Sequence, residues 1–102
     1  MRDQALIDKI DLHLIRVLHT VLTERSVSRA AVRLGMHQPA VSTALKRLRD
    51  LAGDPLLVRQ GGGLVATARA LELAAPLADA LAQVQSLLAP NRFDPASARR
   101  TF

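Results

Sequence analysis

The chain has no cysteine, no tryptophan and no tyrosine, and its aromatic residues are two Phe. The absence of cysteine excludes disulfides, zinc fingers built on Cys and thiol nucleophiles. It also fits a reducing compartment, so we expect a cytoplasmic protein. The scarcity of aromatic rings argues against modules that stack bases on aromatic side chains. The core must come from Leu, Val, Ile and Ala, a composition that favours packed helices.

Long apolar runs are missing too. No stretch approaches the ~18 residues that a membrane span requires, and charges interrupt residues 1–14 too often for a signal peptide. We therefore expect no membrane partner.

Features of an enzyme are scarce. His13 and His19 stand six residues apart on a predicted helix, a poor spacing for shared metal ligation. Gly61–Gly63 is not followed by the Lys and helix start of a phosphate loop. We predict no enzymatic activity, no cofactor and no metal.

Positive charge is concentrated in one part of the chain. The net charge is +5, from 14 basic and 9 acidic residues among 102. Seven of the basic residues, but three acidic ones, lie between Glu24 and Gln60. A small basic chain suggests a polyanionic partner, either nucleic acid or anionic lipid.

Apolar spacing predicts three short helices. The first follows an N-cap at Asp11, the second runs from an N-cap at Ser26 to Gly35, and the third has Pro39 in its first turn and ends at Gly53. The side chains expected to face inward are Leu12, Ile15, Leu18, Val21 and Leu22, then Val27, Ala30, Ala31 and Leu34, then Val41, Ala44, Leu45, Leu48 and Leu51.

Two extended runs follow the third helix. Leu56–Arg59 and Leu64–Ala66 flank a turn at Gly61–Gly63, which is typical of a β-hairpin. Two helices joined by a glycine-containing turn form a helix-turn-helix, and a hairpin directly after them is a wing. The predicted fold is therefore mainly α, a winged helix-turn-helix.

A longer helix begins after an N-cap at Thr67. Apolar residues recur at the 3.5-residue spacing of a coiled coil, and the charges between Leu71 and Ala89 are Glu72 and Asp79 alone. Pro76 lies inside this helix and is expected to kink it or to loosen it near Glu72. We predict that it dimerises through a seam of Ala70, Ala74, Leu77, Leu81, Val84 and Leu88.

The polar side of the third helix has three possible interpretations: a solvated face, a protein contact and a nucleic-acid contact. The side chains near its start are short or hydrogen-bonding groups that fit between base edges in a major groove. We expect Lys46 and Arg47 to contact phosphate groups. We expect Arg59 to contact either phosphate or the minor groove. The candidate DNA-binding residues are Gln38, Pro39, Ser42, Thr43, Lys46, Arg47 and Arg59, with Ser26 and Ser28 as phosphate contacts or, for Ser26, simply a cap.

The stretch "SVSRAAVRLGMHQPAVSTALKRLRDLAGDPLLVR" resembles the DNA-binding domain of LysR-type transcriptional regulators. The resemblance covers about 11–89 and implies a winged helix-turn-helix with a linker helix that pairs two subunits. It places Gln38, Pro39 and Ser42 in the major groove and Arg59 in the wing. It also implies a C-terminal domain for a small-molecule effector, a tetrameric parent protein, and a "FDPASARRTF" segment similar to the lead-in to that domain. The expected divisions are 1–66 for DNA binding, 67–90 for the linker and dimerisation helix, and 91–102 for a hinge and the start of a truncated effector-binding domain, as in a piece of a longer protein.

Some positions depart from the family pattern. His37 replaces the usual Ser or Thr before Gln38, so the helix cap is weaker or the imidazole contacts phosphate. Arg49 and the glycine-rich wing look closer to the branch that includes nodulation and aromatic-degradation regulators.

Two functions remain open at this point. One is sequence-specific binding of duplex DNA by a homodimer on an interrupted palindrome. The other is a helical protein-interaction module that uses residues 70–88 to recruit a different protein. The seam alone does not distinguish them.

Overall fold

The computed structural model describes residues 11–89, and in that range it contains four helices and one two-stranded hairpin. This confirms the mainly α, winged helix-turn-helix fold. Residues 1–10 and 90–102, which include the predicted hinge at 91–102, lie outside the described residues. No helix within 11–89 combines the length and apolarity needed to cross a membrane. The elements are α1 (Leu12–Glu24), α2 (Val27–Leu34), α3 (Gln38–Ala52), β1 (Leu57–Gln60), β2 (Gly63–Ala66) and α4 (Ala68–Leu88).

Side-chain caps define the starts of three helices. Asp11 accepts from the N–H of Leu14 at 2.8 Å, Ser26 from that of Arg29 at 3.1 Å, and Thr67 from that of Ala70 at 3.1 Å. His37 makes no side-chain cap bond at the start of α3. Pro39 lies in the first turn of α3, where its missing N–H leaves no bond unmade.

The wing is tighter than predicted. Leu57 pairs with Ala66 and Gln60 with Gly63, which leaves a two-residue turn. Both turn residues have positive φ, 60° at Gly61 and 82° at Gly62, as a type I′ hairpin turn requires. The predicted strand start at Leu56 and the three-glycine turn were wrong by one residue each.

The core lies where α1, α2 and α3 meet. Most of the expected inward residues of α2 and α3 are buried or half-buried, but Leu12 of α1 is 45% exposed. Leu14 and Val17 are buried instead, because α1 is apolar around most of its circumference and packs against three helices. The buried apolar residues are Leu14, Val17, Leu18, Val21, Ala30, Ala31, Val41, Leu45, Leu48, Leu56, Leu57 and Ala70.

Part of the predicted dimer seam belongs to this core. Ala70 is fully buried in its own chain, and Leu77 packs against the core cluster. Ala70 was therefore wrongly included among the residues that reach a partner. Beyond Leu77 the seam leaves the domain, and Leu88 is 69% exposed. The helix continues through Pro76.

The carboxylate of Asp54 joins the wing to α4. Its Oδ2 accepts from the backbone N–H of Leu56 at 2.7 Å and from the hydroxyl of Thr67 at 2.7 Å. Leu56 is fully buried with a φ of 66°, a region that leucine rarely adopts. The carbonyl of Leu56 accepts from the N–H of Thr67 at 2.9 Å. Asp54 thereby holds Leu56 in its unusual conformation and fixes the residue that caps α4.

Glu24 joins α1 to α2. Its carboxylate lies 2.7 Å from Nη1 of Arg33 and 3.5 Å from Nε of Arg29. The hydrogen bond from Arg33 is the main cause that holds the pKa of Glu24 below its usual value, against a smaller opposing effect of burial. Arg33 is thus an intramolecular partner of Glu24.

We predict that Asp54→Ala lowers the free energy of unfolding by about 2–3 kcal/mol, because two donors lose a charged acceptor. Urea unfolding would measure this. Asp50→Ala removes the same charge from an exposed position on α3 and should change stability by less than about 0.5 kcal/mol. Equal losses in both variants would contradict the role of Asp54.

A second prediction concerns Glu24→Gln. Because the pKa of Glu24 is lower in the folded chain, the stabilisation is complete above the usual value of about 4.3 and is lost as pH falls through the folded-state pKa. We expect the Tm difference between wild type and variant to be largest near neutral pH and to vanish in acid. Glu72→Gln, at the exposed Arg69–Glu72 pair, is the control and should lower Tm less at neutral pH. A difference that persists unchanged in acid would refute the assignment.

Candidate nucleic-acid interface

The outer face of α3 presents the predicted contact residues to solvent. Gln38 and Ser42, one turn apart, are both exposed, as are Pro39, Thr43 and Lys46. The opposite face buries Val41, Leu45 and Leu48. Because the apolar face anchors α3, its polar face is held in a fixed orientation.

Two adjoining clefts connect α3 to the wing and to the start of α2. The first, of about 360 Å³, is lined by Ser26, Ser28, Gln38 and Arg59 among others. The second, of about 410 Å³, is lined by Ser42 and Arg59 among others. Both include Val27, Arg59 and Leu64. The fold thus brings together five of the predicted residues, which come from three different elements.

The two serines at the start of α2 are connected to each other. The Oγ atoms of Ser26 and Ser28 lie 3.1 Å apart, and Ser26 also accepts from the N–H of Arg29. The cap role of Ser26 is therefore observed. Ser28 is exposed and lines the first cleft, so its hydroxyl is accessible to a ligand there.

The remaining predicted residues lie on the surface outside both clefts. They are all exposed: His37, Pro39, Thr43, Lys46 and Arg47. With the clefts they give a surface that runs along α3 and continues to the wing.

Sequence reasoning missed three arginines at this surface. Arg25 and Arg29 line the first cleft, and Arg49 lines the second. Arg49 donates from Nε to the carbonyl of Pro55 at 2.8 Å, so it fastens α3 to the base of the wing. The excess of basic residues between Glu24 and Gln60 was the available signal, but it did not show which of them share a cleft.

The chemistry of the surface is that of recognition. Amide, hydroxyl and guanidinium groups dominate, and no carboxylate lines either cleft among residues 11–89. In the same part of the chain, no group of three or more His, Cys, Asp or Glu side chains is placed to hold a metal ion. Such a surface can donate hydrogen bonds to base edges and to phosphate oxygens.

Curated proteins are similar to this chain in sequence. Nodulation protein D 1 of Bradyrhizobium sp. (strain NC92) is 43% identical over 94 residues, which are 91% of this chain and 30% of that protein. The presence of a nodulation protein confirms the resemblance to that branch. The chain spans about 30% of the length of the curated relatives it matches.

Solved structures share the fold. The probable transcriptional regulator PA0477 from Pseudomonas aeruginosa superposes with a TM-score of 0.79 at 38% identity, over 89% of this chain and 31% of that one. The complex of the BenM DNA-binding domain with catB site 1 DNA has a TM-score of 0.72 at 24% identity, over 78% of this chain and 89% of that one. The BenM comparison shows a similar fold in a chain that consists almost entirely of the matched region.

A family profile matches residues 12–71, more than half of the chain, and therefore covers α1 to the start of α4. It describes bacterial regulatory helix-turn-helix proteins. This chain belongs to the lysR family of bacterial regulatory helix-turn-helix proteins.

Proposed function

We propose that this chain binds double-stranded DNA in a sequence-specific manner, as the DNA-binding domain of a LysR-type transcriptional regulator. The observation that carries the proposal is the placement of Gln38 and Ser42 on the exposed face of α3, beside clefts that also contain Arg59 of the wing. A helix of this kind fits the major groove. The fold shared with the DNA-bound BenM domain is consistent with it.

Each contact follows from side-chain chemistry. The amide of Gln38 offers a donor and an acceptor together, which suits N6 and N7 of adenine. Ser42 and Thr43 bond base edges or phosphate, and the carbons of Pro39 meet a thymine methyl group. Lys46 and Arg47 lie further along α3 and bind phosphate, as do His37 just before α3 and Ser28 at the start of α2. Arg59 contacts phosphate or the minor groove.

Two copies of the chain pair through α4. Leu81, Val84 and Leu88 extend the apolar stripe beyond the domain, and Leu87 adds a side chain that is 83% exposed. Pairing buries this surface, with Ala74 and Leu77 at its edge, and presents two α3 helices to grooves ~34 Å apart on an interrupted palindrome. The remaining length of the parent protein supplies a domain for a small-molecule effector, and the parent is a tetramer in the cytoplasm.

The first test separates base contacts from phosphate contacts. We expect Gln38→Ala to reduce discrimination between a selected and a scrambled duplex by about 1–3 kcal/mol. We expect Arg59→Ala to lower the affinity for both duplexes by the same factor. Fluorescence anisotropy, after binding-site selection on random duplexes, would measure both. The two variants together form the control, because sequence-blind losses from both would refute major-groove readout by Gln38.

The second test concerns pairing through α4. We expect Leu81→Lys to give a monomer in light scattering, because a charge in the seam opposes its burial. Gln83→Lys adds the same charge on the opposite side of the helix and should remain dimeric. A wild-type chain that is monomeric and ignores DNA would favour the protein-interaction module instead.

A further inference from the structure

Two residues of the first cleft break the usual preference of their backbone positions. Arg25 connects α1 to α2 with a φ of 53°, a left-handed conformation that glycine adopts at less cost. Gly63 lies in β2 without a positive φ, where most residues stabilise a strand better than glycine. Local violations of this kind concentrate at functional sites.

Packing does not explain either residue. Leu56, the other non-glycine residue with positive φ among those described, is fully buried and held by Asp54. Arg25 by contrast is exposed, and its backbone N–H caps α1 by donating to the carbonyl of Val21 at 2.7 Å, a bond that glycine would also make. A Cβ added to Gly63 would meet no atom within 4 Å. Both positions therefore point to something outside the chain.

The residues that line the cleft indicate the chemistry of that partner. Arg25 and Arg29 line it from the α2 side, and Arg59, Gly62 and Gly63 line it from the wing. Arg29 is held in place, since its Nη2 donates to the carbonyl of Glu24 at 2.8 Å and its Nε lies near the Glu24 carboxylate. Its remaining N–H groups can bind an anion, and its side chain is 68% exposed.

We propose that Arg25 and Arg29 bind the sugar-phosphate backbone of DNA in this cleft, opposite Arg59, and that the bare backbone of Gly63 lets the strand approach the wing. The inference rests on the proposed function and adds contacts to it. Guanidinium groups suit phosphate oxygens because they donate in pairs. The strained turn at Arg25 keeps an arginine because a glycine there could not bind phosphate through a side chain.

The test uses the whole 102-residue chain and the variants Arg25→Gly, Gly63→Ala and Arg69→Gln. For Arg25→Gly we expect an unchanged or higher Tm, affinity about tenfold lower for selected and scrambled duplexes alike, and a salt slope smaller by about 0.9 for each phosphate that the variant no longer neutralises. Gly63→Ala should also leave Tm unchanged or raise it, and it should lower the affinity for both duplexes. Arg69→Gln, which removes the same charge outside both clefts, should change affinity by less than about twofold.

The outcomes distinguish this inference from the proposed function. If wild type binds its selected duplex and Arg25→Gly binds equally well, or loses Tm and affinity together, the phosphate role of Arg25 is wrong. Normal binding by Gly63→Ala would refute the close approach at the wing. If wild type binds no duplex, the proposed function itself fails.

Discussion

The placement of the wing and of α4 relative to α3 depends on the carboxylate of Asp54. It lies just after α3 and holds both the backbone of Leu56 and the hydroxyl of Thr67. Through Leu56 it sets the direction in which the wing leaves α3, and through Thr67 it sets the start of α4. One short side chain thereby connects α3, the wing and α4 at a single junction. Arg49 adds a second bond at the same junction.

Charge and apolar surface are separated along the molecule. Basic and hydrogen-bonding groups occupy α3, the start of α2 and the wing, whereas α4 carries a largely uncharged, apolar surface. The phosphates of a duplex attract a basic surface, and an apolar surface gains stability when it is buried, so the two surfaces suit the proposed DNA contact and the proposed pairing respectively. Because the two surfaces lie on different elements, the proposed DNA contacts and the proposed pairing use different residues.

The first cleft shows how stability and recognition oppose each other here. Glycine would suit the turn at residue 25, and a larger residue would suit the strand at residue 63, yet the chain has the reverse at each position. A protein selected for stability alone would not be expected to retain both. Both are explained if the cleft binds the backbone of a nucleic acid.

Local chemistry let the sequence by itself determine the helix starts, the glycines that end α2 and α3, and the exposed face of α3. Caps and helical periodicity act over three or four residues, so Ser26, Gly35 and Gln38 could be assigned without a structure. Contacts between distant residues were decided by the tertiary structure alone. Leu14 is buried in the core and Leu12 is not, because α1 has more apolar surface than one face can bury. Ala70 is buried in the same core. The tertiary structure also brought Arg25 and Arg59 to one cleft, since that proximity depends on how α1, α2 and the wing pack.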